Sequence, residues 1–183
     1  MTEPTRLAPL EAPFPAEVDR TLQQMMPKGL PPIALFRTLA HNPRILHKLQ
    51  ASNLLDRGAL SLREREIVIL RTTARCGSSY EWGVHVAAFT HKTRLTPEQI
   101  AASALDPDSA RWEPRERLLI ELVDELHDTA TWSGELFQRL RAELSTEQLL
   151  ELVALVGLYH TVSFFTNAFA IAPEPGAPQL PAR

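Results

Sequence analysis

Apolar residues recur at three- and four-residue intervals along most of the chain, and no stretch alternates apolar and polar positions for long. That periodicity predicts helices and argues against strands, and the seven glycines leave few hairpin turns. Several helix starts are marked by a hydroxyl residue followed three positions later by Glu or Gln. Ser61–Glu64, Ser78–Glu81, Thr96–Gln99 and Ser145–Gln148 each have the form of a capping box, in which each side chain satisfies the other residue's backbone N–H. Pro97, at the first helical position, strengthens the third box. These signals predict helices at about residues 16–26, 32–41, 43–57, 62–75, 79–92, 97–104, 114–130, 134–143 and 146–170, with Gly58 as the stop for the third. The fold class is all-α.

Prolines gather at the two ends, four in the first fifteen residues and four in "PEPGAPQLP". Residues 1–15 and 173–183 therefore read as extended, mobile tails around one helical domain spanning 16–172. Within that domain two segments resemble each other: "LSLREREIVILRTTARCGSSYEWGVHVAAF" and "LSTEQLLELVALVGLYHTVSFFTNAF". Both open on Leu-Ser and a capping box, continue with Glu and four apolar residues, and end in Ala-Phe after a His. Duplicated helical hairpins packing their apolar faces together would produce this pattern, and so would two similarly capped buried helices.

Composition narrows the class. A chain of 183 residues that is 44% hydrophobic and 22% charged can bury a core as one domain. A net charge of −3 leaves no basic footprint for nucleic acid or an acidic membrane surface. The single cysteine cannot form an internal disulfide, which suits a reducing compartment. The first fifteen residues have no apolar run behind basic residues, so no signal peptide is read there. The longest apolar stretch, residues 149–172, carries Glu151, His160 and Asn167, as a buried core helix does more readily than a membrane span. The expectation is a cytoplasmic protein with no nucleic-acid or membrane partner.

Chemistry concentrates in "RCGSSYEWGVHVAAF", residues 75–89. With Ser78 as N-cap, Glu81, Trp82, His85 and Phe89 share a helix face, and Glu81 and His85 stand one turn apart. Glu66 lies on the preceding helix among Leu62, Ile69 and Leu70, where a freely solvated charge is out of place. A carboxylate in an apolar groove has its pKa raised, and a neighbouring His can relay its proton. Glu66, Glu81 and His85 are thus candidate proton-transfer groups, with Tyr80 and Trp82 as walls that exclude water. The plainer reading makes Glu81 a capping partner, His85 a core histidine and Glu66 a residue near a helix start. Glu81 and His85 could also share a metal ion, but no third ligand has matching spacing and the remaining histidines lie far apart in sequence, so no metal is assigned. Cys76, near a helix C-terminus whose dipole disfavours a thiolate, reads as a small buried hydrophobe.

The stretch "REREIVILRTTA" followed by "YEWGVH" resembles the carboxymuconolactone decarboxylase family, which also contains the alkylhydroperoxidase D-like proteins. The likeness runs from "LFRTLAHNPRILHKL" to "NAFAIA". It implies an all-α fold with a duplicated helical hairpin, assembly as a trimer or hexamer, and no cofactor. In the peroxidase branch the motif is a Glu, a Cys-x-x-Cys pair and a His four residues later; here Glu66 and His85 match, while Ser78 and Glu81 occupy the cysteine positions. In the decarboxylase branch the position four before the His is Glu, as at Glu81. The resemblance then implies decarboxylation of a small lactone-type substrate, with His85 as general acid, Glu81 orienting it, Glu66 as a second relay, and Arg71 or Arg75 anchoring a substrate carboxylate. Two alternatives are a hydroperoxide reductase using Cys76 with an external thiol, and an oligomeric binding protein without catalysis.

Overall fold

The structure is a computed structural model and describes residues 4–106 and 110–182. Among these residues it has nine helices and no strand: α1 (Ala16–Met25), α2 (Ala34–Leu39), α3 (Pro43–Ala51), α4 (Leu62–Arg75), α5 (Ser79–Thr93), α6 (Pro97–Leu105), α7 (Pro114–Thr129), α8 (Gly134–Glu143) and α9 (Thr146–Ala168). The all-α class and nearly every helix start agree with the periodicity and the caps. The third helix ends six residues short of its expected terminus, because Ser52 and Asn53 turn their side chains back onto the Leu49 carbonyl and the Leu55 N–H.

α4 is the axis of the bundle. Residues 65–74 are all buried, the polar Arg65, Glu66, Arg71, Thr72 and Thr73 together with the apolar ones, and α5, α6, α7 and α9 pack around the helix. Arg63–Glu116, Arg71–Asp124 and Arg75–Asp128 pair at a constant offset of 53 residues, so α7 runs parallel to α4 and in register with it. α9 runs the same way: near its start Glu151 accepts from the Ala59 N–H, and near its end the Thr166 and Ser78 hydroxyls bond. α5 returns antiparallel. Two apolar cores flank the axis. The larger is filled by α1–α3 and α7–α9; the smaller is built on Ile67, Leu70, Trp82, Trp112 and Ile120.

The turn from α4 into α5 is set by Gly77, which has φ 64°. Its N–H reaches the Ala74 carbonyl and the Ser78 N–H reaches Thr73, which closes α4 in a Schellman motif. The same Ser78 then caps α5 through its hydroxyl on the Glu81 N–H. The two segments of the internal repeat differ at this point. The first folds as the α4–α5 hairpin, whereas the second is one unbroken helix, α9, with no Cys-Gly-Ser turn to fold it back.

The proline-rich ends are extended but lie on the helical body. Arg6 donates its N–H to the Phe169 carbonyl, and Leu10 and Phe14 pack on the larger core. Beyond α9, Glu174 bonds the Tyr80 hydroxyl, and the Leu180 N–H bonds Ser79. Residues 1–3 and 183 of these segments lie outside the described residues.

Candidate active site

Glu66 and His85 meet in the interior. Glu66 is completely buried on α4, and its Oε2 lies 2.7 Å from His85 Nδ1. On the far side of the imidazole, His85 Nε2 lies 2.9 Å from the Tyr159 hydroxyl of α9. With a neutral imidazole the proton order is fixed: His85 Nδ1–H donates to the carboxylate and the Tyr159 O–H donates to Nε2. Phe89, half-buried, stacks on the ring at 5.1 Å and the Tyr159 ring meets it edge-on. Three helices thus hold one hydrogen-bonded chain, Glu66–His85–Tyr159, with all three side chains buried.

Glu81 stands beside this chain and is also buried. Its expected part in a capping box is not taken up. The Ser78 N–H, the donor its carboxylate would need, is already used by Thr73 to close α4. Glu81 Oε1 is left without a hydrogen-bond partner. Burial pushes this carboxyl up to about 7, against a smaller opposing pull from His85. The Tyr159 phenol is raised well above its ordinary value, first by burial and then by the Glu81 and Glu66 charges.

Two further buried polar atoms here lack hydrogen-bond partners, Glu66 Oε1 and Arg65 Nε, which face each other at 3.7 Å. Arg65 is held by the Leu55 and Asp56 carbonyls through Nη1, so its Nε side is directed at the carboxylate. Buried polar atoms without partners cost roughly 1–3 kcal/mol each. Their concentration around one histidine marks a place where a ligand can supply the missing contacts.

The other residues singled out from the sequence point elsewhere. The Tyr80 hydroxyl donates to Glu174 and accepts from the Leu35 N–H, tying the C-terminal segment to the start of α2. The Trp82 indole N–H donates to Ser103 in the smaller core. Arg71 forms a two-pronged pair with Asp124 and also reaches the Ser103 carbonyl, and Arg75 pairs with Asp128. Tyr159 and Arg65 were not foreseen. The signal for Tyr159 was present in the sequence: it is the one phenol in an otherwise aliphatic stripe through Leu152, Leu155, Val156 and Val162, and a buried phenol needs a partner.

A second cluster forms away from this chain. Cys76 Sγ is 4.0 Å from His127 Nδ1, which is 3.0 Å from His160 Nε2. These residues are separated by 51 and 33 positions, so no ligand spacing announces them.

Residues 43–125 match the carboxymuconolactone decarboxylase family. No curated protein matches the chain in sequence. Among solved structures, an uncharacterised peroxidase-related protein from Silicibacter superposes with a TM-score of 0.82 at 18% identity, covering 97% of each chain. A peroxidase-related protein from Ralstonia eutropha, described as an alkylhydroperoxidase AhpD core, gives 0.80 at 19% identity over 92% of this chain and 93% of that one. The debrominase Bmp8, solved as a Cys-to-Ala variant with 2,3,4-tribromopyrrole, gives 0.76 at 15% identity over 96% and 95%. At these identities the superpositions establish the fold, while the sequence match covers the segment that carries Glu66, Glu81 and His85. Residues 43–125 are thus similar in sequence to the carboxymuconolactone decarboxylase family, and the chain as a whole has an alkylhydroperoxidase D-like helical fold.

Proposed function

We propose that the chain is an enzyme that decarboxylates a small carboxylated, lactone-type substrate by proton transfer, with no cofactor in the proton path. The observation that carries this reading is the buried Glu66–His85–Tyr159 chain with Glu81, poised at about 7, beside it. Loss of carbon dioxide breaks a C–C bond and leaves its electron pair on the adjacent carbon, delocalised as an enolate onto the lactone carbonyl. The Tyr159 hydroxyl, kept protonated by its raised pKa, turns its single O–H from His85 Nε2 to the enolate oxygen, while the imidazole stays fixed by Glu66. Glu81 delivers a proton to carbon and is reprotonated from solvent, so one proton is consumed for each carbon dioxide released. Arg65 takes the anchoring part expected of Arg71, since Arg71 is committed to Asp124 and the Arg65 Nε is not hydrogen-bonded.

The hydroperoxide alternative has to rest on Cys76. Burial pushes its thiol up, away from the reactive thiolate, and the chain has no second cysteine to resolve an oxidised one. The deciding experiment is carbon dioxide release from a panel of carboxylated lactones and β-keto acids. The wild type should release it, Glu81→Gln should slow release by roughly 100-fold or more, the range of a lost acid–base group, and His85→Gln, which unseats Tyr159, should slow it as well. Tyr159→Phe should slow it with little change in KM. Release undiminished by His85→Gln would overturn the mechanism. A panel inert with wild type, together with peroxide turnover lost in Cys76→Ser, would transfer the assignment to the reductase.

A further inference from the structure

The decarboxylation reading makes no use of Cys76, His127 and His160. They come from three helices that run parallel around one end of the bundle: the C-cap of α4, the last turn of α7 and the middle of α9. All three are half-buried, and their ligand atoms lie within 4.8 Å of one another. His127 and His160 lie beyond the segment that matches the family, and none of the three belongs to the Glu66–His85–Tyr159 chain.

We propose that Cys76, His127 and His160 form a zinc site of one thiolate and two imidazoles with an open fourth position. The imidazole orientations are set for it. His160 Nδ1–H donates to the Val156 carbonyl at 2.8 Å, which fixes the tautomer that turns the Nε2 lone pair toward the cluster. This is the outer contact that ligating histidines ordinarily make. A plain His127–His160 hydrogen bond would satisfy those two rings but would leave the thiol at 4.0 Å with only a marginal contact. The buried Ser163 hydroxyl, one turn beyond His160, has no partner at normal hydrogen-bond distance and faces the Cys76 thiol, on which it acts as a weak hydrogen-bond partner. With a metal bound, Ser163 donates to the thiolate.

The distances suit the ion. Bond lengths of about 2.0–2.1 Å to nitrogen and about 2.3 Å to sulfur place tetrahedral ligand atoms roughly 3.3 Å apart for two nitrogens and roughly 3.6 Å for nitrogen and sulfur. The metal-free separations of 3.0 and 4.0 Å reach those values through shifts smaller than a side-chain rotamer change. The Asn167 amide holds the Cys76 carbonyl at 2.8 Å and steadies the turn that carries the thiolate. Borderline-soft zinc matches a thiolate–imidazole set, whereas hard cations prefer oxygen. Three protein ligands leave room for a water or an exogenous ligand. A cleft of about 370 Å³ runs beside the site along Arg75, Cys76, Gly77, Leu180 and Pro181.

The test uses the full chain, reduced and stripped with a chelator. Titration with Zn²⁺ should show one saturable site per chain. Co²⁺ in its place should give the intense visible bands of a tetrahedral site and a thiolate-to-cobalt charge-transfer band. Cys76→Ser should abolish the charge-transfer band, and it and His160→Gln should each weaken zinc binding beyond the roughly 10–100-fold that losing an outer-shell contact costs. His41→Gln, at an exposed histidine outside the cluster, should leave binding unchanged. Absence of saturable binding at low micromolar zinc, or wild-type affinity in Cys76→Ser, would overturn the proposal. Should a variant lose its helical content, alkylation of wild-type Cys76 decides: zinc must protect the thiol, and equal labelling with and without zinc sinks the site. Carbon dioxide release is not a readout here, so failure of the zinc site and failure of the decarboxylase reading are separable.

Discussion

Glu81 shows how one backbone hydrogen bond can change the chemistry of a side chain several residues away. Had the Ser78 N–H been free, the carboxylate would have closed the capping box as an ordinary ionised acid. Because the Schellman turn of α4 consumes that N–H, Glu81 is buried without a compensating donor and its pKa is pushed up to about 7. The sign of the resulting pH dependence follows by linkage. The folded state binds this proton more tightly than the unfolded chain, whose Glu titrates near the ordinary value of 4.5. Glu81 therefore costs no stability below that pH, costs progressively more as pH rises toward 7, and reaches a constant penalty of about 3 kcal/mol above it. Urea unfolding across this window should show Glu81→Gln gaining stability on the wild type as pH rises, with the two converging in acid. Parallel curves would mean that Glu81 is not held in this state. At this scale the sequence was informative where chemistry is local. Glu66 and His85 stood out as polar residues on apolar helix faces, and the structure joins them. The partner at the other imidazole nitrogen, Tyr159, lies 74 positions from His85, a distance no helical periodicity can register.

Helix boundaries were the most legible feature of the chain, because caps act through residues three apart. Ser61, Thr96 and Ser145 all close their boxes as their spacing implies. The parallel register of α4, α7 and α9 was not legible, since it is fixed by ion pairs and core packing between elements more than fifty residues apart. The same limit hid how the C-terminal segment is used. Its prolines announced an extended chain but not that the chain crosses α5. At Gly83 the crossing is so close that a Cβ would lie 2.2 Å from the Pro178 carbonyl oxygen, an approach only glycine permits. Gly83→Ala should therefore strengthen α5 locally, by up to about 1 kcal/mol of helix propensity, while driving residues 174–181 off its surface. Limited proteolysis should cut the variant in that segment faster than the wild type, with helical content kept. Equal cleavage rates would mean that the strap does not depend on this contact.

At the scale of the molecule, α9 carries apolar residues on both faces. One face supplies Leu152, Leu155, Val156 and Val162 to the core. The other exposes Leu150 (68%), Val153 (41%) and Phe164 (64%), with Ala154, Gly157 and Thr161 between them and no charge along the stripe. A 23-residue helix of this composition is long and apolar enough to cross a membrane, yet its inner face is already packed against protein. We propose that a second copy of the chain covers this uncharged, ridged outer face, as the resemblance to a family of homo-oligomers also suggests. Burying a Phe or Leu side chain gains roughly 1.5–3 kcal/mol, so a few such residues repeated on each subunit are enough to drive association. Sedimentation at micromolar concentration should show the wild type assembled, in a trimer or hexamer, and Phe164→Asp dissociating it while leaving helicity and the unfolding transition of the isolated chain in place. A wild-type monomer under those conditions would remove the oligomer. Loss of assembly with unchanged carbon dioxide release would show that each subunit holds a complete Glu66–His85–Tyr159 site. Loss of both together would mean that the Glu66–His85–Tyr159 site is completed by the neighbouring subunit.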